Sequence, residues 1–321
     1  MDEVKKLGVA VIGIGFWGRN HVRVFSELPE TELKAVCDVN KERAEAMANQ
    51  YKVDAYTDSR QLLKRKDIQA VSICTWTTMH AEEALRAIRA GKDLLVEKPI
   101  ASTVREAKRI VNLAERRNTR LMVGFIERFN PGVQTAKNMV YRDEIGTLVS
   151  ATSKRVSEWP ERIGDVGVVK DTAIHDIDLM RYIFDDEPST VFAKIGNLRH
   201  TKYEDYAQIM FTFEKGKTAF IEANWLTPYK TRSLLITGSR AILNLNYLTQ
   251  EITIETAGQS TTPRHAWQEP LKLELKHFAE SVLNYRTPNV TGADGLKALQ
   301  IAEAAFKSSK QNRAVKLRLS D

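Results

Sequence analysis

The chain has 321 residues, enough for two domains with cores of their own. Its 43% apolar and 28% charged residues describe an ordinary soluble globular protein, with no apolar run of the length a membrane span needs. The net charge of +7 raises the question of nucleic acid, but no nucleic-acid-binding motif accompanies it.

The basic residues are spread over predicted helix exteriors, as in Lys64-Arg65-Lys66 and Arg105, Lys108, Arg109, Arg116 and Arg117, with acids interspersed. A solvated helix face accounts for them, with a general attraction for anionic small molecules. Met1-Asp2-Glu3-Val4-Lys5-Lys6 leads straight into a short strand and does not read as a secretory signal, so the cytoplasm is the expected location. Cys37 and Cys74 fall in predicted buried strands, where thiols act as small hydrophobes. Their spacing fits neither a metal motif nor a disulfide framework, and no metal is expected.

The first strand, 7–12, ends in Val9-Ala10-Val11-Ile12 and opens into Gly13-Ile14-Gly15-Phe16-Trp17-Gly18. A second apolar run ends on Asp38, twenty residues after the last of these glycines. Strand, glycine turn and distal carboxylate form the pattern of a dinucleotide-binding βαβ unit. Gly13 permits the tight turn, Gly15 lets amides approach a pyrophosphate, and Gly18 lets the next helix pack close to the strand. The helix N-terminus then presents N–H groups to the phosphates. Asp38 would accept from ribose hydroxyls and repel a 2′-phosphate, which favours NAD over NADP.

Strands at 33–38, 69–74, 93–97 and 121–123, with a weaker one near 54–57, alternate with helices near 17–27, 41–50, 59–65, 79–90 and 103–118. This order implies a doubly wound parallel sheet, a Rossmann domain over 1–123. Thr103 or Ser102 is expected to cap the last of these helices, with Glu106 completing a capping box if Thr103 is the cap. Gly91 should end the helix before it.

The remainder, 124–321, reads as an α+β domain with an open, mostly antiparallel sheet. Its strands are predicted at 148–157, 190–197, 206–213, 217–225, 231–237, 241–245 and 251–256, with a helix near 172–184. Helices near 271–286 and 293–309 and a strand near 314–319 close the chain. Such a sheet leaves one face to cover, carrying some of Phe211, Phe213, Phe220 and Trp225, which suggests a homodimer or homotetramer.

Three further segments carry chemistry. Val96-Glu97-Lys98-Pro99 closes a strand at the carboxyl edge of the first sheet, Gly124 to Pro131 forms the domain crossover, and Asp171 to Asp178 lies on the early helix of the second half. Helical spacing places Asp171, His175 and Asp178 on one face. A histidine flanked by carboxylates can be tuned as a proton acceptor. A lysine at the mouth of a nucleotide site can hydrogen-bond a substrate oxygen.

In this order, G-x-G-x-x-G, Glu97-Lys98-Pro99 and the Asp171-x-x-x-His175-Asp176-x-Asp178 motif resemble the glucose–fructose oxidoreductase / inositol dehydrogenase (Gfo/Idh/MocA) family over nearly the whole chain. The resemblance implies an NAD(P)-dependent oxidoreductase acting on a sugar or cyclitol, with Lys98, Asp171 and His175 catalytic. Asp178 would contact or orient the substrate. Besides Gly13, Gly15, Gly18 and Asp38, the cofactor side would include Phe16, Trp17, Thr75, Trp76, His80, Glu97 and Lys98. Here His80 is read as a helix-start residue and not as an acid or base.

Two segments depart from the common pattern. Thr75-Trp76-Thr77-Thr78-Met79-His80 stands where many members have Thr-Pro-Asn before the histidine. Pro160-Glu161-Arg162-Ile163 followed by Asp165-Val166-Gly167-Val168-Val169 looks more like members that oxidise the 3-hydroxyl of UDP-N-acetylhexosamines. That branch would give Arg155 and Arg162 a substrate diphosphate to pair with. Oxidation of a UDP-N-acetylhexosamine is therefore the leading expectation, with an inositol or free-sugar dehydrogenase as the alternative. A non-catalytic NAD-binding sensor or assembly protein is the alternative of another class.

Overall fold

β1 (Leu7–Ile12) is buried along its whole length, as a central parallel strand covered on both faces must be. In the computed structural model, which describes residues 6–161, 164–263 and 266–319, the chain forms two units. One comprises Met1–Gly124 and Leu271–Leu296, the other Phe125–Pro270 and Lys297–Asp321. Residues 271–296, assigned from sequence to the second domain, thus belong with the first. The reason is packing: a Cβ on Gly292 would meet Leu121 and Val111, and the Val123 N–H bonds the Val290 carbonyl.

In the first unit β1 is followed by α1 (Phe16–Glu27), β2 (Thr31–Cys37), α2 (Lys41–Tyr51), β3 (Asp54–Tyr56) and α3 (Ser59–Leu62). Then come β4 (Ala70–Ile73), α4 (Thr77–Arg89), β5 (Asp93–Glu97), α5 (Val104–Arg116) and β6 (Leu121–Gly124). The six strands pair in parallel in the order β3-β2-β1-β4-β5-β6. The order reverses between β1 and β4, the switch point where such sheets bind ligands beyond the strands' carboxyl ends.

Thr103 caps α5 and Glu106 completes the capping box, worth about 1 kcal/mol. Gly91 follows α4 with φ +71°, a backbone that side chains disfavour. Both cysteines are buried free thiols, and burial, followed by nearby Glu83 and Asp38, pushes the Cys37 thiol up to about 12.

The second unit holds α6 (Pro131–Tyr141), β7 (Leu148–Val156), α7 (Ile174–Phe184), β8 (Thr190–Gly196), β9 (Tyr206–Thr212), β10 (Thr218–Asn224) and β11 (Thr231–Gly238). It continues with β12 (Ile242–Asn246), β13 (Ile252–Thr256), β14 (Gln259–Thr261) and, after α8 (Pro270–Leu283) and α9 (Gly292–Gln311), β15 (Val315–Lys316). Among the described residues its nine strands run β14-β13-β12-β11-β7-β10-β9-β8-β15, and only β7 and β10 pair in parallel. α6 was not foreseen from the sequence, although Asn130 caps it and Pro131 starts it.

Alternation sorts the two sheet faces. Ala151, Ser153, Arg155, Ile209, Phe211, Ile221 and Leu234 are buried, as are Phe213 and Trp225. Register aligns Phe192, Met210, Phe220, Thr152 and Leu235 across five strands on the opposite face, where Phe220 is 44% exposed. Among the described residues no helix is long and apolar enough to cross a membrane.

Candidate active site

In the first unit the glycine turn has the geometry its spacing predicts. Gly13 has φ +89°, and a Cβ there would lie 2.6 Å from the Thr75 nitrogen. A Cβ on Gly18 would lie 1.8 Å from the Gly13 carbonyl, so only glycine lets α1 approach this closely. Gly15 differs: nothing lies within 4 Å of the Cβ it lacks. That open cradle stands at the N-terminus of α1, which no side chain caps, so its first-turn N–H groups suit an anion.

Asp38 directly follows β2, beside the turn. It accepts from the Ile14 N–H at 2.8 Å and the Asn40 N–H at 2.9 Å, and Arg43 pairs with it at 3.2 Å. Phe16, Trp17 and Trp76 are large, exposed apolar side chains flanking the strand ends. These residues fit a dinucleotide: an open backbone for the pyrophosphate, a carboxylate for a ribose and aromatic walls.

Lys98 follows β5 and is buried. His80, on α4, is buried with Nδ1 2.8 Å from the Pro99 carbonyl and Nε2 3.1 Å from the Thr75 carbonyl, so it ties the two loops around the lysine together. Glu97 was expected at the cofactor, but its side chain turns into the core. Its Oε1 accepts from His21 Nε2–H at 3.1 Å and its Oε2 from the Lys98 N–H at 3.2 Å. His21 went unnoticed in the sequence; a lone histidine on an otherwise apolar helix face was the available signal.

A cavity of about 540 Å³ on this unit is lined by Arg60, Leu63, Lys64, Lys66, Arg86, Arg89, Ala90 and Lys92. It sits at the end of α4 and the start of β5, the opposite end of the sheet from Gly13 and Lys98.

In the second unit Asp171 lies exposed on a five-residue π-helical turn, Val169–Ala173, that precedes α7. His175 follows on the first turn of α7, half-buried, with its ring edge-on to Phe125 at 6.3 Å. The three residues expected on one face differ in exposure: Asp171 is exposed, His175 half-buried and Asp178 buried. Asp178 is fully buried and holds Arg128 through two 2.6 Å hydrogen bonds, so it is not a substrate contact.

Arg155 is corrected in the same way. It is buried under α7, with Nε 2.6 Å from Asp176 and a terminal nitrogen 2.9 Å from Glu127. Burial opposes its charge, but Asp176 and Glu127 outweigh burial and raise its pKa above the ordinary arginine value. Ser153 and Tyr247 also donate to Asp176, at 2.5 and 3.3 Å. The guanidinium has no fork left for a diphosphate. Arg162 lies outside the described residues.

Glu127 and Arg128, neighbours at the crossover, therefore lock onto the α7 region through Arg155 and Asp178, and His175 directly precedes the anchored Asp176 on α7. Arg232, directly opposite Arg155 on β11, is half-buried; burial first, and then Arg155, push its pKa down. Among the described residues no group of three or more His, Cys, Asp or Glu side chains is arranged to hold a metal.

Residues 7–125 match the oxidoreductase family with an NAD-binding Rossmann fold, and residues 133–244 match the GFO/IDH/MocA C-terminal domain. The chain is 32% identical to the uncharacterized oxidoreductase YrbE of Bacillus subtilis (strain 168), covering 95% of this chain and 94% of that one. It is 29% identical to the scyllo-inositol 2-dehydrogenase (NAD(+)) of the same strain, covering 96% and 95%. In structure it resembles UDP-N-acetylglucosamine 3-dehydrogenase GnnA from Acidithiobacillus ferrooxidans, with TM-score 0.88, 26% identity and coverage of 96% and 99%. With its glycine turn, Asp38 and paired domains, the chain belongs to the Gfo/Idh/MocA family, NAD-binding oxidoreductases that act on CH–OH groups.

Proposed function

We propose that the chain oxidises a secondary hydroxyl of a cyclitol or free sugar to a ketone. The carrying observation is the internal commitment of Arg155 to Asp176 and Glu127, which removes a residue on which recognition of a sugar diphosphate rested. Similarity to the scyllo-inositol dehydrogenase over nearly the full length supports the same reading. A UDP-N-acetylhexosamine substrate is the second reading, favoured by the likeness to the UDP-N-acetylglucosamine 3-dehydrogenase. Comparing kcat/KM for scyllo- and myo-inositol with that for UDP-N-acetylglucosamine separates them, and a preference for the nucleotide sugar would reverse the order.

Bound NAD supplies the hydride acceptor. The residues supply proton handling and charge. His175 takes the hydroxyl proton, Asp171 keeps the acid–base pair correctly protonated, and Lys98 hydrogen-bonds the substrate oxygen as negative charge develops on it. Gly15, in a turn shaped by Gly13 and Gly18, would let the α1 amides hold the pyrophosphate, Asp38 would take the adenosine ribose, and Phe16, Trp17, Thr75, Trp76 and His80 would frame the cofactor.

Two glycine variants separate binding from folding. A Gly15→Ala methyl enters open space, so thermal unfolding stays near wild type while NAD affinity falls about tenfold or more, a loss of about 1.4 kcal/mol. A Gly18→Ala methyl strikes the Gly13 carbonyl and lowers both stability and affinity. Calorimetric titration with NAD and a melting curve for each protein check this. An unaltered affinity in Gly15→Ala would remove the pyrophosphate from that turn.

The outward row Phe192, Met210, Phe220 and Leu235 is the surface through which we expect a homodimer or homotetramer to form. Light scattering should give an oligomer for the wild type and a smaller species for Phe220→Glu; a monomeric wild type contradicts it.

A further inference from the structure

A chain of polar side chains runs through the core of the first unit and ends at the backbone of Lys98. It starts on β4, where the Ser72 hydroxyl lies 3.5 Å from the Cys74 sulfur. Ser72 Oγ is 2.8 Å from His21 Nδ1, and His21 Nε2–H donates to Glu97 Oε1 at 3.1 Å. Glu97 Oε2 then accepts the N–H of Lys98 itself at 3.2 Å. Ser72 and His21 have no exposed surface, and Glu97 is nearly as buried.

The neighbouring strand makes room for this carboxylate. Glu97 pairs with Gly124, and a Cβ on Gly124 would lie 2.9 Å from Glu97 Oε1. Burial alone would lower the pKa of His21; contacts with Cys74, and then with Glu97, outweigh it and hold the pKa well above the ordinary value.

Helix-on-sheet packing alone does not call for these residues. Apolar side chains of similar volume fill such a site as well or better, because buried polar and ionic groups lose their hydration. What the polar chain adds is direction. Glu97 folds back onto the amide of the next residue and fixes where the Lys98 side chain leaves the backbone. His21 fixes Glu97 from α1, the helix whose N-terminus carries the open glycine cradle.

We propose that His21 and Glu97 are positioning residues for Lys98, coupling the nucleotide-binding helix to the group that hydrogen-bonds the substrate oxygen. The inference rests on the role given to Lys98 above. A displacement of about 1 Å at such a group is enough to cost roughly 10²-fold in rate.

The test uses the full-length protein with substitutions His21→Leu, His21→Gln, Glu97→Gln and Lys98→Met. Each is measured for NAD affinity, melting temperature, kcat on the best polyol and hydrogen exchange at the Lys98 amide. His21→Leu should lower kcat about 10²-fold with NAD affinity held within about threefold, and should expose the Lys98 amide to exchange. Glu97→Gln should share the fall in kcat, since an amide cannot accept from both donors. His21→Gln, whose amide N–H can reach Glu97 in place of Nε2–H, should recover most of the rate and the protection. If His21→Leu fails to fold, these two variants carry the test.

Because the residues act through the lysine, His21→Leu added to Lys98→Met should cost almost nothing more. A His21→Leu enzyme with wild-type kcat and a protected Lys98 amide overturns the proposal, as does a double variant that loses both factors in full. A normal rate in Lys98→Met alone would instead overturn the role given to the lysine.

Discussion

Replacing Arg155 by alanine is expected to destabilise the second unit by about 3–5 kcal/mol, because it leaves two carboxylates buried without their cation. Asp176 would keep only Ser153 and Tyr247, and Glu127 would keep Asn130 at 3.2 Å and a distant Arg232 at 3.9 Å. Against a typical total of about 5–15 kcal/mol, that is a large fraction of the folding free energy. The denaturant midpoint should fall sharply, and activity should fall with the folded fraction. An Arg155→Ala protein with a wild-type midpoint and a raised KM for a nucleotide sugar would restore the diphosphate role that the buried ion pairs argue against. Breaking Arg128–Asp178 should cost less, because Arg181 remains 3.4 Å from the buried Asp178.

Lys98→Met and His175→Ala should leave folding and NAD binding largely intact and reduce turnover. The loss of a positioned proton acceptor at His175 is worth about 10²–10⁴-fold. Loss of one donor to the developing oxyanion at Lys98 is worth about 10²–10³-fold. Both losses should fall on kcat and kcat/KM together, as expected of groups whose interactions strengthen only in the transition state. Single-wavelength kinetics at saturating NAD check this. Near-normal turnover in His175→Ala would pass the base role to Lys98.

Periodicity and turn chemistry made the first unit legible. Gly13, Gly15 and Gly18 are local requirements, and a parallel strand declares itself by a continuous apolar run. The capping box at Thr103 and the break at Gly91 are equally local. Side-chain partners were not legible where they come from distant sequence. Arg155 and Asp178 each look like a polar residue near a catalytic motif until Glu127, Arg128 and Asp176 are brought beside them by the fold. His21 is harder still, since its partners lie 51 and 76 residues away on two different strands. The π turn before α7 was not legible either, because a 3.6-residue period assumes an uninterrupted α-helix. The return of residues 271–296 to the first unit is a matter of tertiary packing that no local pattern announces.

The most direct test follows NADH absorbance with wild-type and Lys98→Met proteins side by side, offering scyllo- and myo-inositol, free hexoses and UDP-N-acetylhexosamines, with a trap for the ketone product. The account predicts NAD reduction by the wild-type protein with an inositol or free sugar, lost in the variant. Tight NAD binding with no reduction by any polyol would contradict it and leave a nucleotide-binding sensor as the reading of the chain.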